Sequence, residues 1–308
     1  MTRSLNDAIT NYISIKKSVL KPSTIARYSN LFENHLKDYF KETTLDDVTN
    51  RVLQKYVDRK LTNGTTPTVI KEAILLIKLS LKREAKFEEF TMPFIDLDIP
   101  SKSKHKHIET LTRLEEKILL NHIIQNDKSK FCGVILSLLT GMRIGEICAL
   151  KWLDIDLKKR QITVNKTLQR ICVKNKKSII EIGKTKTSSG TRTIPICNAL
   201  YDILLSLKPS NRDSYFLTNN NKPKEPRNYR KIYKTLLKKL KIKSTSFHAL
   251  RHTFATRLIE NKVDIKTISE LLGHASTNIT ISIYIHSEYN TKRKAVKSLD
   301  YLILKVFI

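Results

Sequence analysis

Apolar residues recur every three or four positions along most of this chain, and that spacing predicts helices over most of its length. From Leu5 to about Phe87 the pattern is helical throughout. Leu5 to Leu20 and Val48 to Leu61 read as shorter helices. Ile25, Tyr28, Leu31, Phe32, Leu36, Tyr39 and Phe40 form a stripe opened by Pro22 with Ser23 as its cap. Ile70, Ala73, Ile74, Ile77 and Leu81 form another, beyond a turn at Asn63-Gly64. A four-helix or similar bundle follows, each stripe burying against the others.

Residues 100–107, PSKSKHKH, are small, polar and basic with no apolar anchor, which marks a linker between two separately packed domains. His105 and His107 have no further ligands nearby, so a basic hinge touching phosphate fits them better than a metal. Thr112 and Glu115 make a capping-box pair that opens a helix through Leu114, Ile118, Leu119 and Ile123. A second helix, from Phe131 to Leu139, stops at Thr140-Gly141, and Arg143 stands at the start of a third with Ile144, Ile147 and Leu150 on one side. Gln161 to Leu168 alternates as a strand, Ile179 to Gly183 is a short apolar run, and Ser188-Ser189-Gly190 turns the chain into Thr191 to Ile196. These make a small antiparallel sheet whose hairpin, GKTKTSSGTRTIPI, carries Lys184 and Lys186 at its tip. Between Arg227 and Lys241, Tyr229, Ile232, Tyr233, Leu236, Leu237 and Leu240 occupy one helix face; the other carries Arg227, Arg230, Lys231, Lys234, Lys238 and Lys241.

The expected fold is therefore mainly α with a small antiparallel β-sheet, in two domains. Residues 1–99 form the helical bundle, 100–107 the linker, 108–290 a mixed domain, and 291–308 a helical tail. In that tail Leu299, Leu302, Ile303, Val306 and Phe307 recur at helical spacing behind Lys292, Arg293, Lys294 and Lys297.

Charge narrows the partner. The 308 residues hold 57 Lys and Arg against 29 Asp and Glu, a formal net charge of +28. Such an excess suits a polyanion, with nucleic acid ahead of an anionic membrane surface. No apolar run is long enough to cross a bilayer and no signal peptide is recognisable, so a cytoplasmic, DNA-associated chain is expected. Cys132, Cys148, Cys172 and Cys197 lack CxxC spacing and read as reduced thiols rather than a zinc site.

Within that frame, FHALRHTFATRL (247–258) sets His248 and Arg251 one helical turn apart, so that both reach one anion. Leu250, Phe254, Ala255 and Leu258 are expected to bury the opposite side and leave the His/Arg edge free. Arg143, at a helix start, is open to two readings: a ligand for phosphate beside backbone N–H groups, or the partner of Glu146 one turn on. The basic face of 227–241 is likewise either solvated or laid along a DNA groove.

In order, TGMRIGEICAL, the lysine-bearing segment ending TRTIPI, HALRHTFAT, LLGHAS and ISIYIHS resemble the tyrosine recombinase family: the integrases of phages and mobile elements and the Xer-type recombinases. The resemblance covers about Leu111 to His286, and the N-terminal bundle looks like the family's core-binding domain. It implies a C-shaped clamp in which a helical core-binding domain and an α/β catalytic domain lie on opposite sides of a duplex. Carried residue by residue, Arg143 is the first catalytic arginine, His248 and Arg251 the HxxR pair, His274 the histidine of LGH and Tyr284 the nucleophile. Glu146 matches the acidic residue that supports Arg143. Lys184 and Lys186 both fall near the expected lysine, and Lys186 fits better. The implied partners are double-stranded DNA recombination sites, a homotetramer on two duplexes, and accessory DNA-bending or directionality proteins. The implied location is the bacterial cytoplasm. Many integrases carry an arm-binding domain ahead of the bundle, and here the bundle starts almost at Met1, so an Xer-like layout or a shortened integrase is expected.

These residue types suit phosphodiester chemistry in their own right. Two guanidiniums match the charge that develops on the non-bridging oxygens, and Tyr284, with an ordinary pKa of about 10, needs a base or a cationic site to react. His248 is the candidate base, Lys186 the acid for the leaving 5′ oxygen, and His274 a phosphate ligand. A 3′-phosphotyrosyl bond conserves the energy of the broken one, so no nucleotide cofactor and no metal are required. Two alternatives use the same fold: a type IB-like topoisomerase, and a non-catalytic DNA-binding regulator.

Overall fold

The computed structural model describes residues 3–87, 90–100, 109–171, 178–184 and 190–284, with the backbone alone at Lys184, Ile279 and 282–284. The chain folds into two compact units, residues 1–106 with 170–181, and residues 107–169 with 182–308.

In the first unit, α1 (Leu5–Lys16), α2 (Pro22–Leu31), α3 (Asn50–Thr62) and α4 (Pro67–Phe87) surround one apolar core. The predicted stripes supply it: Leu36, Phe40, Ile70, Ala73, Ile77 and Leu81 are sealed from solvent. Ser4 caps α1 by accepting from the Asp7 N–H, and Thr49 caps α3 by accepting from Val52. Ser23 does not cap α2. Lys21 holds that position without a capping side-chain bond, and Pro22 opens the helix, because its fixed φ is already helical and its missing N–H needs no cap. A π-helical turn, Phe32–Leu36, carries the stripe on to Phe40. Residues 90–100 then run back along the bundle. Gln54 accepts from the Asp98 N–H at 3.0 Å, and Asn50 accepts from that of Asp96 at 2.9 Å.

The second unit opens with α5 (Arg113–Asn126), whose Thr112/Glu115 capping box is formed as the sequence predicts. Leu119 and Ile123 of its stripe are buried, whereas Leu114 is 68% exposed and faces away. α6 (Lys128–Thr140) is buried along nearly all its length and ends at Gly141, whose φ of +66° is the left-handed conformation that closes a helix. An added Cβ there would meet Phe254 at 2.6 Å and Leu272 at 2.8 Å, so the turn lies tight against two later helices. α7 (Ile144–Ala149) follows at once.

The expected single strand from 161 to 168 is two strands. β1 (Ile155–Asp156), β2 (Gln161–Val164) and β5 (Arg192–Pro195) form a three-stranded antiparallel sheet in the order β1-β2-β5, with Ile162 opposite Ile194. β3 (Lys166–Ile171) pairs with β4 (Ile179–Lys184) in a separate sheet. Among the described residues β4 and β5 therefore lie in different sheets and do not pair, and the tip of the expected hairpin lies outside the described residues. Burial accounts for the difference: Ile194 is buried beside Ile162, while Ile179, Ile180 and Ile182 stay largely exposed and offer no core face to β5. Helices α8 (Asn198–Leu207), α9 (Pro226–Lys239), α10 (His248–Glu260), α11 (Ile265–Leu272) and α12 (Thr277–Tyr284) complete the unit. Among the described residues no helix is long and apolar enough to cross a membrane. Cys132 and Cys148 are buried free thiols, and Cys197 is an exposed one; Cys172 and the tail from 291 to 308 lie outside the described residues.

Candidate active site

The Gly141 turn delivers Arg143. The Ser137 hydroxyl donates to the Met142 carbonyl at 3.1 Å, and Met142 N–H donates to the Thr140 hydroxyl, which pins the loop before Arg143 leaves it. Glu146 then closes the start of α7: its Oε2 accepts from the Arg143 N–H and its Oε1 from the Arg143 guanidinium, both at 2.9 Å. The backbone N–H that could have met a phosphate is thus already taken, and anion recognition falls to the Arg143 side chain, which remains 38% exposed.

Arg251 corrects an expectation. The edge of α10 predicted to stay free is buried at this residue, which is only 1% exposed. Its guanidinium donates to the carbonyls of Gly141 at 2.8 Å and Leu272 at 2.7 Å. Arg143 donates to the carbonyls of Leu272 and Gly273, both at 3.4 Å. A third arginine, Arg192, joins them: its Nε donates to the Leu271 carbonyl at 2.6 Å and its two Nη atoms reach both oxygens of Glu146. Three guanidiniums therefore converge on three successive carbonyls at the end of α11, where the helix dipole is negative. Gly273, at φ +65°, turns the chain there and passes it to His274.

Arg192 stands within the TRTIPI motif, where the resemblance gives it no role, yet strand alternation marks it. Positions 192, 194 and 196 share one face, Ile194 and Ile196 are buried, and an arginine in that row must find buried acceptors. Thr280 was also missed, and no periodicity singles it out. It is fully buried, and its hydroxyl lies 2.8 Å from His274 Nδ1. When that hydroxyl donates, Nε2 carries the ring proton and can donate to an anion. The bond also ties His274 to α12, which packs on α10 and α11 and ends at Tyr284.

A recess of about 420 Å³ opens beside these groups, lined by Arg143, Arg251 and His248 over Met142, Ile144 and Phe247. Arg230 of α9 lines it too; Arg227, Lys231 and Lys234 are exposed on the same helix but outside the recess. His248 stacks edge-on against His252, with centroids 4.6 Å apart. Desolvation, then His252, Arg251 and Arg143, push the His248 imidazole down to about 4. Desolvation, then Arg251, Arg143 and His248, do the same to His274. Burial pulls Glu146 upward, but the hydrogen bonds and charge of Arg192, followed by Arg143, hold it below the usual carboxylate range. The site thus keeps its histidines neutral and its carboxylate ionised, with guanidinium charge in excess. That is a receptor for an anion. Lys186 lies outside the described residues, and Lys184 is described only as the last backbone position of β4.

Comparison with known proteins identifies the family. Residues 106–291 match the model of the phage integrase family, and residues 4–61 match the phage integrase N-terminal SAM-like domain. A tyrosine recombinase XerC-like protein of Caldanaerobacter subterraneus is 27% identical over 92% of this chain and 79% of its own length. The integrase of a Staphylococcus phage is 27% identical over 94% of this chain and 90% of its own. Among solved structures, the Tn1549 transposon integrase in complex with transposon right end DNA superposes with a TM-score of 0.78 at 22% identity, covering 96% of this chain and 99% of that one.

The two depressed histidines set a pH dependence. Folded, they stay neutral down to about 4; unfolded, they protonate below about 6.5, so the unfolded chain binds more protons and stability falls as the pH drops through that window. Thermal unfolding of the DNA-free protein is expected to show this fall, and the His248→Gln/His274→Gln variant a flatter one. An equal slope in both would contradict the assignment.

Proposed function

Because the chain belongs to the phage integrase family and is a tyrosine-type site-specific DNA recombinase of the mobile-element kind, we propose how its own residues divide the reaction. The observation that carries the proposal is the excess of guanidinium charge held at the carbonyl end of α11 beside two neutral histidines. A scissile phosphate in the recess would accept from Arg143 and Arg251, whose forked donors strengthen as its oxygens gain charge in the transition state. His274, through Nε2, adds a further donor.

Tyr284 is the nucleophile in this reading. Its phenolic oxygen attacks phosphorus, the 5′ oxygen leaves, and the protein is linked to the 3′ end. His248, neutral and at the recess, accepts the phenolic proton; the arriving phosphate raises its proton affinity by opposing the cationic field that depresses it. Lys186 protonates the departing 5′ oxygen. A 5′-hydroxyl of another strand then reverses the attack, which exchanges strands without nucleotide or metal. The substrates are double-stranded recombination sites in the bacterial cytoplasm. Two cleavages on each of two duplexes call for four copies of the chain, aided by DNA-bending or directionality proteins. Arg230, at the recess rim, and the exposed Arg227, Lys231 and Lys234 follow flanking phosphates.

The expected outcome for Tyr284→Phe is duplex affinity within about threefold of wild type and no covalent protein–DNA adduct, in the presence or absence of excess chelator. An adduct formed by the phenylalanine variant, or cleavage lost to chelator and restored by magnesium, would overturn this division of roles.

Lys186→Ala is expected to cleave ordinary DNA poorly and to recover on a duplex whose leaving oxygen is replaced by sulfur, which departs without a proton. Lys184→Ala is expected to be near wild type on both. Recovery confined to Lys184→Ala would exchange the two lysines.

A further inference from the structure

We propose that Arg192 is a positioning residue of the cleavage site: by sharing both oxygens of Glu146 with Arg143 and by gripping the end of α11, it fixes the direction in which Arg143 meets the phosphate. The inference rests on the assignment of Arg143 to that site.

The two arginines differ in what they face. Arg192 is 6% exposed at its side chain, against 38% for Arg143, and it does not line the recess. Its Nε binds Leu271, one Nη binds Glu146 Oε1 at 3.2 Å and the Gly190 carbonyl at 3.3 Å, and the other binds Glu146 Oε2 at 2.9 Å. A single side chain thus joins three segments: the Glu146 turn of α7, the end of α11 that leads to His274, and Gly190, where the chain enters β5.

Glu146 explains why such a tie is needed. Its side chain is 3% exposed, and without Arg192 its remaining cation among the described residues would be Arg143. A buried carboxylate left with one partner draws that partner into a two-pronged pair, because desolvated opposite charges attract strongly and each oxygen needs donors. Arg143 would then turn toward the protein and away from the recess. With Arg192 supplying a donor to each oxygen, Glu146 needs only one Nη and the backbone N–H of Arg143. The same guanidinium holds the Leu271 carbonyl, next in the row to those that accept from Arg143 and Arg251. Arg192 therefore sets the frame against which the other two are placed, although it need never touch DNA.

The test times covalent-complex formation by the full-length protein at saturating DNA, on duplexes from the ends of its element, and measures duplex affinity and folded fraction in parallel. Arg192→Gln is expected to lower the saturating rate about ten- to hundredfold, the usual cost of a misdirected group, with affinity within about threefold. Arg192→Lys should recover part of the rate, since it restores charge but not the fork, and it carries the test if Arg192→Gln fails to fold. The Arg192→Gln/Glu146→Gln double variant should be no slower than the slower single one, because both act on one contact. Losses that multiply, an affinity that falls as far as the rate, or a normal rate for Arg192→Gln beside a slow Arg143→Gln would overturn the inference alone. A normal rate for Arg143→Gln would overturn the site assignment beneath it.

Discussion

The carbonyl end of α11 is the anchor of the catalytic unit. Leu271, Leu272 and Gly273 present successive carbonyls at a helix terminus, and Arg192, Arg251 and Arg143 supply the donors. Neutral carbonyls fix guanidiniums in place without cancelling their charge, whereas carboxylates would fix them and cancel it. Glu146 is the carboxylate that meets this group, and it satisfies Arg192 and Arg143 only in part. Burying Arg251 in such a setting costs desolvation energy, part of which its bonds to the Gly141 and Leu272 carbonyls offset. Guanidinium charge held in this way would bind a phosphodiester and bind its transition state more strongly, because the non-bridging oxygens then carry more charge.

The rest of the unit is arranged around that anchor. Gly141 ends α6 in a left-handed turn that lies against Phe254 and Leu272, so Arg143 starts within reach of α11, and the Gly141 carbonyl itself accepts from Arg251. Strand β5 brings Arg192 from the other direction. Thr280 couples His274 to α12, and through that helix the backbone of Tyr284 belongs to the same packed set as α10 and α11. Position along the sequence matters little here, since residues from 141 to 280 meet around one helix end.

Much of this was legible in the chain because the signals are local. The Thr112/Glu115 box, the Gly141 stop and the buried stripe of α9 each depend on residues within a turn or two of each other. The burial of Arg251 was not legible, because its acceptors lie on a loop 110 residues earlier and a helix end 21 residues later. The strand pairing has a similar origin. Ile179 to Gly183 and Thr191 to Ile196 both read as strands across a turn, but which partner each takes is decided by core access, and Ile162 offers it to Ile194. Arg192 was legible in principle from strand alternation. It was passed over because cations in strands are ordinarily solvated and only Ile194 and Ile196 beside it point inward.

If the arginines act on the charge of the scissile phosphate, removing that charge should remove the need for them. The direct measurement is single-turnover cleavage of a duplex whose scissile phosphate is a neutral methylphosphonate, compared with the ordinary phosphodiester, by wild type and by Arg143→Ala. The account predicts that Arg143→Ala is slower than wild type by about a hundredfold or more on the phosphodiester and by a few-fold at most on the methylphosphonate. An equal deficit on both substrates would mean that Arg143 holds the structure rather than the charge, and would contradict the account.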